Sequence, residues 1–429
     1  MKTNYIQCGD CLELMKNIPS NSIDSIVTDP PYEINFMGKG WDNAGVSFNK
    51  ETWKRCYEVL KEGGYLLAFG GSRTFHRIAC AIEDAGFEIR DCIMWLYGSG
   101  FPKSMNLGLA IDKKNGVESI DTGVVSPNAR PNCTKDNTLF ESGTVGKKFN
   151  IKKATNKWEG WGTCLKPAYE PIIVARKPFK GSLVDNVIKN GVGGLNIDEC
   201  RVETNEDIEK GRNGRNNKSI FQASKINENQ REYQNNGRFP ANLILTYDET
   251  DFDEVCGGFP NTKGTPTKEK GTYGFCFDAS KRDSKPMADG YNDEGSASRY
   301  FYCAKASKKD RDEGLEKIIE QKVNDGINTP IDNPFQRGET LRKNIHPTVK
   351  PTTLMQYLVR LVTPKGGIVL DPFMGSGSTI KALLYENKER NANYNFIGFE
   401  LNKEYFQIAY GRIKATIEAL SNKKLEKEN

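Results

Sequence analysis

Residues 369–379 read Val369-Leu370-Asp371-Pro372-Phe373-Met374-Gly375-Ser376-Gly377-Ser378-Thr379, and this stretch decides the fold. Apolar residues lead into a Gly-x-Gly turn, and a helix-compatible run follows at 380–385. Glycine lets the backbone approach a ligand closely, and Ser378 or Thr379 is expected to cap the helix. The third glycine of the dinucleotide fingerprint is absent, because Ile380 stands in its place. The pattern predicts a nucleoside site without the features of a pyrophosphate site.

A predicted strand at 395–399 ends in Glu400, 23 positions after Gly377. An acid at this spacing suits a ribose, whose two hydroxyls need an acceptor. A buried turn and a surface glutamate remain the structural alternative. The missing glycine and the lack of a hydride-transfer constellation argue against a dehydrogenase.

A second motif, Asp29-Pro30-Pro31-Tyr32, follows the apolar run 23–27. It places a carboxylate, two proline carbonyls and an aromatic ring at the tip of a predicted strand. Because proline has no N–H, the backbone there offers acceptors and no donors. These groups can hold the exocyclic amine of a nucleic-acid base and stack on its ring. The alternative is a proline turn after a core strand.

The two motifs, in this order and spacing, resemble those of β-class site-specific DNA amino-methyltransferases of bacteria and prophages. The matching stretches are 7–32, 63–95, 161–178 and 346–401, a little under a third of the chain. The resemblance implies an α/β fold: a Rossmann-like, doubly wound, mostly parallel sheet. The fold that the resemblance implies is the circularly permuted S-adenosylmethionine-dependent methyltransferase fold, with an inserted target-recognition region.

The same resemblance implies a division into five segments. Residues 1–97 form the catalytic half, 98–160 a polar insertion, and 161–179 a sheet-completing strand. Residues 180–340 form the target-recognition or DNA-binding region, and 341–429 the cofactor-binding half. The strand carrying Asp29 is then expected beside the strand carrying Asp371, although about 340 residues separate them. The two halves would form one discontinuous domain.

Site residues carried over from the family fall into two groups. Asp29 and the Pro30 carbonyl are expected to accept hydrogen bonds from the two N–H groups of the target amine. Tyr32 is expected to stack on the flipped base. The predicted catalytic residues are Asp29, Pro30, Pro31 and Tyr32. Asp10 would accept from the adenine amine of the cofactor, and Lys350 or Thr348 would meet its carboxylate. The cofactor set is Asp10, Cys11, Thr348, Lys350, Asp371, Phe373, Gly375, Gly377, Ser378 and Glu400.

The function implied is methyl transfer from S-adenosyl-L-methionine to a base in double-stranded DNA. Aspartate at the first position of the tetrapeptide leans towards adenine N6, and cytosine N4 is the alternative. A non-catalytic DNA-binding remnant of the fold is the alternative of another class. RNA or protein-glutamine methyl transfer is disfavoured, since glutamine enzymes of this kind usually carry Asn in place of Asp29. A homodimer and a cognate restriction endonuclease are further partners that the sequence leaves open.

Charge and cysteine content agree with this interpretation. The net charge is +5, which permits nucleic-acid binding without demanding it. The segment 147–180 holds nine Lys or Arg and two acids, with Trp158 and Trp161 interleaved. It suits a phosphate backbone or a solvated loop. Eleven cysteines, no signal peptide and no membrane-spanning apolar stretch indicate a reduced, cytoplasmic protein.

No metal site is expected. Cys8-Gly9-Asp10-Cys11 has metal-ligand spacing, but no second pair matches it, and His76 and His346 are the only histidines.

Several local predictions test the alternation of strands and helices. Gly63-Gly64 is expected to separate a helix at 52–60 from a strand at 65–69. A strand at 171–175 is expected to be antiparallel to the strand before it. The last helix, 403–420, is expected to face inward with Phe406, Ala409, Ile413 and Ile417.

Between 210 and 238 the composition turns to Asn, Gln, Arg and Lys, which suits base reading or a disordered loop.

Overall fold

The computed structural model describes residues 1–34, 42, 44–97, 104–125, 150–203, 237–248, 261–263, 294–296, 301–306, 308–315, 321–323, 340–342, 344–346 and 348–425. The Asn- and Arg-rich run 211–217 and most of the polar stretch 210–238 lie outside these residues. The base-reading hypothesis for that stretch therefore stays a prediction.

The strands in the described part are β1 Tyr5–Cys8, β2 Ile23–Thr28, β3 Leu60–Phe69, β4 Glu88–Tyr97, β5 Ile120–Val125, β6 Asn150–Lys153, β7 Tyr169–Arg176, β8 Leu243–Asp248, β9 Asn261–Lys263, β10 Glu294–Ser296, β11 Tyr302–Ala306, β12 Gln321–Val323, β13 Thr340–Arg342, β14 Ile368–Asp371 and β15 Asn395–Glu400. The α-helices are α1 Cys11–Leu14, α2 Lys50–Val59, α3 Phe75–Asp84, α4 Leu107–Asn115, α5 Leu183–Asn190, α6 Lys308–Asp312, α7 Thr352–Val362, α8 Ser378–Arg390 and α9 Lys403–Leu425. Short 3₁₀ turns occupy Met15–Asn17, Val46–Phe48 and Asp198–Cys200.

One nine-stranded sheet organises the molecule, in the order β1-β15-β14-β2-β3-β7-β4-β8-β11. Its strands are parallel except β7, which is antiparallel to both β3 and β4. The remaining strands pair as β5–β6, β9–β10 and β12–β13 ribbons. The predicted mostly parallel sheet and the antiparallel strand near residue 173 are both confirmed.

Helices cover both faces of the sheet, because the central strands are apolar on both sides. In β3, Leu67 and Phe69 face the core beneath α7, α8 and α9, whereas Leu66 and Ala68 face the core beneath α2 and α3. Successive side chains of a strand point to opposite faces, so a strand buried on both sides needs an unbroken apolar run. The doubly wound, Rossmann-like class is therefore confirmed.

The two motif-bearing strands are neighbours, as the sequence predicted. β14 pairs in parallel with β2, Val369 opposite Ser25 and Leu370 opposite Ile26. Adjacent parallel strands end at the same edge of a sheet, so the loops after Thr28 and after Asp371 lie side by side.

The expected break at Gly63-Gly64 is wrong. β3 runs from Leu60, and its register with β2 jumps between the pairs Ile23–Leu60 and Ser25–Tyr65. Gly63 has a φ of 81°, which lets the strand bulge while its N–H donates to the Lys177 carbonyl. A glycine bulge absorbs extra residues without ending a strand.

The expected cap of α8 is also wrong, whereas the expected inward face of α9 is confirmed except at Ile417. The residue at the N-terminus of α8 is Gly377 at a φ of 79°, and Ser378 and Thr379 already belong to the first turn. The left-handed conformation suits glycine and leaves both hydroxyls free for other partners. In α9, Ala409 and Ile413 are buried as expected, but Ile417 is 45 % exposed because the helix extends beyond the sheet.

The segment 180–340 contributes two strands to the central sheet. β8 pairs with β4, and β11 pairs with β8. Among the described residues, no helix is long and apolar enough to cross a membrane.

Candidate active site

The carboxyl edge of the sheet gathers the polar residues of both motifs. Asp29 follows β2, Asp371 ends β14, and Glu400 ends β15. Because β7 runs the other way, its beginning reaches the same edge and brings Glu170 there. In open α/β sheets this edge is the usual place for ligands.

Asp29 has one engaged and one unengaged oxygen. Oδ2 accepts from Lys350 Nζ at 2.6 Å. Oδ1 is buried and has no hydrogen-bond partner within the described residues. Burial raises the pKa of Asp29; the Lys350 ammonium opposes that shift and the Glu170 carboxylate adds to it. A buried, unsatisfied acceptor is costly, so Oδ1 is a candidate for a ligand's donor.

Lys350 lies among carboxylates and aromatic rings. Its Nζ is also 3.5 Å from Glu170 Oε2 and 4.9 Å from the Phe69 ring centroid. Tyr32 and Trp95 present their rings at 5.4 and 6.0 Å. Burial lowers the pKa of Lys350, but the two carboxylates outweigh burial and raise it, so the side chain stays an ammonium. The ammonium is thus engaged by Asp29, and its expected contact with the cofactor carboxylate stays a prediction.

The proline loop is fixed by hydrogen bonds at Pro31 and Tyr32. The Tyr32 hydroxyl donates to Glu170 Oε2 at 2.6 Å, and the Tyr32 carbonyl accepts from Thr74 Oγ1 at 2.7 Å. The Pro31 carbonyl accepts from the Ser47 hydroxyl at 2.6 Å. The loop is therefore held in place before any ligand binds.

Asp371 organises the glycine turn. Its Oδ1 accepts from Thr28 Oγ1 at 2.7 Å and from the Phe373 N–H at 3.2 Å, and its Oδ2 accepts from Thr379 Oγ1 at 2.5 Å. Burial raises its pKa to about 6, against these hydrogen bonds. Both oxygens of Asp371 are thus engaged inside the turn, and its expected role as a cofactor ligand stays a prediction.

The turn itself places Gly375 against Glu400. The Gly375 N–H donates to Glu400 Oε2 at 2.8 Å, and the Asn402 N–H donates to Oε1 at 2.7 Å. Burial raises the pKa of Glu400 to about 7, although these two N–H groups lower it. A Cβ on Gly375 would lie 2.8 Å from His346 Nε2, and one on Gly377 would lie 3.2 Å from Ala409 Cβ. Both glycines are thus required for close packing.

Other predicted cofactor residues are spread around this turn. Asp10 Oδ1 accepts from the Leu12 N–H at 2.8 Å and caps α1, while the Gly9 N–H donates to the Glu400 carbonyl. Cys11 is buried, and burial raises its pKa to about 12. The Phe373 ring centroid lies 6.3 Å from that of Trp53. Thr348 is exposed.

Ser378 faces away from the turn. Its Oγ lies 3.2 Å from a nitrogen of Arg412, which also donates to the Ser376 carbonyl at 2.7 Å. The expected role of Ser378 as a helix cap is therefore wrong, and its expected role as a cofactor ligand stays a prediction.

Comparison with known proteins adds the family. A family model described as a DNA methylase, N6/N4 type, matches residues 23–247 and 254–411. The chain belongs to this family. Over 230 residues the chain is 24 % identical to the type II methyltransferase M.HindIII of Haemophilus influenzae, covering 44 % of the chain and 63 % of that protein. It is 35 % identical to M.HpaI of Haemophilus parainfluenzae over 106 residues, 23 % of the chain and 33 % of that protein.

The chain thus spans less than two thirds of the length of these relatives. Among solved structures, the PvuII DNA methyltransferase, titled cytosine-N4-specific, aligns with a TM-score of 0.40 at 13 % identity, and the alignment covers 98 % of this chain and 94 % of that chain. The M1.HpyAVI–SAM complex aligns with a TM-score of 0.36 at 16 % identity, covering 95 % and 98 %.

Glu170, Tyr97 and Thr28 were not identified as site residues from the sequence. Glu170 touches Tyr32, Tyr97 and Lys350, yet the sequence marks it only as one of two acids in a basic stretch. The available signal was the antiparallel direction of its strand, which places the start of β7 beside the ends of its neighbours.

Proposed function

We propose that this chain transfers a methyl group from S-adenosyl-L-methionine to the exocyclic amine of a base flipped out of double-stranded DNA. The observation that carries the proposal is the buried Oδ1 of Asp29, which has no hydrogen-bond partner in the part of the chain that the structure describes and belongs to a loop beside the glycine turn. Membership in the DNA methylase family supports the reaction class.

Asp29 is the acceptor for the target amine in this proposal. An exocyclic amine is a poor nucleophile, since its lone pair is delocalised into the ring. An N–H donated to Oδ1, and a second N–H donated to the Pro30 carbonyl, help the nitrogen to become pyramidal. Lys350 holds the other oxygen of Asp29, so the carboxylate cannot turn away. Catalysis then comes from positioning and electrostatics.

Tyr32 is the stacking surface for the base. Its ring is partly buried, and its hydroxyl is tied to Glu170, so the ring has little freedom to turn. Stacking on a fixed ring offsets part of the unstacking cost, a few kcal/mol, of flipping a base.

The cofactor fits the chemistry of the neighbouring edge. Glu400 offers a carboxylate to ribose hydroxyls, and Asp10 follows β1, which pairs with the strand that ends in Glu400. Gly375 and Gly377 let the turn pack closely against His346 and α9, and Phe373 is expected to line the pocket. When bound, S-adenosylmethionine supplies the methyl group on a sulfonium, the electrophile of the reaction.

Adenine N6 is the target base that we propose, with cytosine N4 as the alternative. The support for adenine is the aspartate at the first position of the Asp29 tetrapeptide, where serine is commoner among N4-cytosine enzymes of the family. Residues 180–340 and the basic stretch around Trp158 and Trp161 are the proposed DNA-binding surface; Trp161 is 58 % exposed.

Incubation of unmethylated genomic DNA with the protein and tritiated cofactor tests the proposal. We expect label in DNA, and digestion to nucleosides should place it in N6-methyladenine. Label in N4-methylcytosine would select the alternative base. No label in any DNA, together with no heat of cofactor binding at micromolar concentration in calorimetry, would support the non-catalytic remnant and refute the proposal.

A further inference from the structure

Glu170 links three side chains of the proposed methyl-transfer site. Its Oε2 accepts from the Tyr32 hydroxyl at 2.6 Å and lies 3.5 Å from Lys350 Nζ. Its Oε1 accepts from the Tyr97 hydroxyl at 3.4 Å. The side chain is 21 % exposed, so water competes weakly for these contacts.

The sheet holds Glu170 in this position. Glu170 is opposite Trp95 in the register of β7 with β4. The next residue, Pro171, accepts the N–H of Gly70 at the end of β3. Glu170 is therefore anchored on two central strands, whereas Asp29 and Tyr32 lie on a loop.

Among the described residues, the ion pairs of Lys350 join two carboxylates to one ammonium and leave one excess negative charge. Asp29 and Glu170 are two carboxylates, and Lys350 is one ammonium between them, 2.6 Å from Asp29 and 3.5 Å from Glu170. Methyl transfer moves positive charge from the sulfonium onto the amine nitrogen, so an excess negative charge beside that nitrogen favours the transition state.

We propose that Glu170 is a positioning residue for methyl transfer: it fixes the Tyr32 ring and shares the Lys350 ammonium with Asp29, leaving Asp29 Oδ1 open to the target amine. This inference rests on the proposed function. Glu170 touches neither base nor cofactor and acts through Tyr32, Lys350 and Asp29.

Glu170→Gln tests the role, since it keeps the size and removes the charge. We expect kcat for methylation of genomic DNA to fall roughly ten- to hundredfold, the loss typical of a charged hydrogen bond. The Kd for S-adenosylmethionine should change less than about twofold, because Glu170 lies outside the cofactor edge. Tyr32→Phe, which keeps the ring, should lower kcat as well, and the double variant should lose less than the product of the two single losses.

The pH profile separates positioning from general stability. Lys350, Tyr32, Glu170 and Asp371 are the charged or titratable groups that interact with Asp29. The Glu170 charge raises the pKa of Asp29, so its removal lets Asp29 ionise at lower pH. The acid limb of the kcat profile should therefore move to lower pH in Glu170→Gln.

Glu88→Gln is the matched control. Glu88 pairs with Arg176 at the far end of β7, away from the site, and its variant should keep the wild-type kcat and pH profile.

The inference is overturned if Glu170→Gln has wild-type kcat, or if kcat and cofactor affinity fall together with an unmoved pH profile. Should Glu170→Gln fail to fold, a wild-type kcat for Tyr32→Phe overturns it. An inactive wild-type protein would instead overturn the proposed function.

Discussion

The affinity for S-adenosylmethionine should depend on pH through Glu400. Burial holds the pKa of this carboxyl at about 7 in the free protein. Ribose hydroxyls donate to the ionised carboxylate, so binding lowers the pKa of Glu400 and releases a proton below pH 7. The affinity must then rise with pH through about 7. The ionised fraction differs roughly tenfold between pH 6 and pH 8, so Kd should be roughly tenfold weaker at pH 6.

Calorimetric titrations of the cofactor at half-unit steps from pH 5.5 to 8.5 measure this dependence. Glu400→Gln is the matched control, because the amide keeps the size and cannot titrate. Subtraction of its profile also removes ionisations of the cofactor itself and any contribution of Asp371, whose pKa is about 6. A wild-type profile that is parallel to that of Glu400→Gln would refute a role for this carboxylate in the cofactor site.

Three further predictions concern single residues. Asp29→Ala should lower the rate of methyl transfer by about a thousandfold, because the acceptor for the amine is lost, while the cofactor Kd stays within about twofold. Substantial turnover of this variant in a tritiated-methyl assay would contradict the assignment. Lys177→Met should lower the free energy of unfolding by about 3 kcal/mol, since the buried ammonium donates to Asn21 and to the carbonyls of Tyr57 and Leu60. Urea denaturation measures this loss, and the exposed Lys180→Met should show almost none. Gly375→Ala should weaken cofactor binding about tenfold or more, because its Cβ would press on His346. Gly366 also has a positive φ, but a Cβ there would meet no neighbouring atom. Gly366→Ala should therefore leave the cofactor Kd unchanged in the same calorimetric assay.

The core of the fold was predictable because its signals are local. The strands that end at Thr28, Asp371 and Glu400 are apolar runs followed by turn residues, and their placement follows from the rules of parallel sheets. The antiparallel strand β7 was predictable for the same reason. The family resemblance predicted that the strands carrying Asp29 and Asp371 are adjacent, and the pairing of β2 with β14 confirms this.

Side-chain partners across the sheet were not predictable. Lys350 is 321 positions from Asp29, and Glu170 is 138 positions from Tyr32. Nothing in the local composition of either residue indicates its partner, because the pairing depends on strand order. Local sequence also could not predict the bulge at Gly63 or the partners of the Ser378 and Thr379 hydroxyls, since these depend on neighbouring strands and helices.

The pairing of β2 with β14 has a consequence for synthesis of the protein. At the usual rate of about 5 to 20 residues per second, the ribosome needs tens of seconds to add the roughly 340 residues between these strands. During that time one edge of β2 has no partner, and β1 awaits β15. An open strand edge pairs readily with another chain, so we expect a nascent or truncated chain that ends before residue 368 to aggregate or to depend on chaperones.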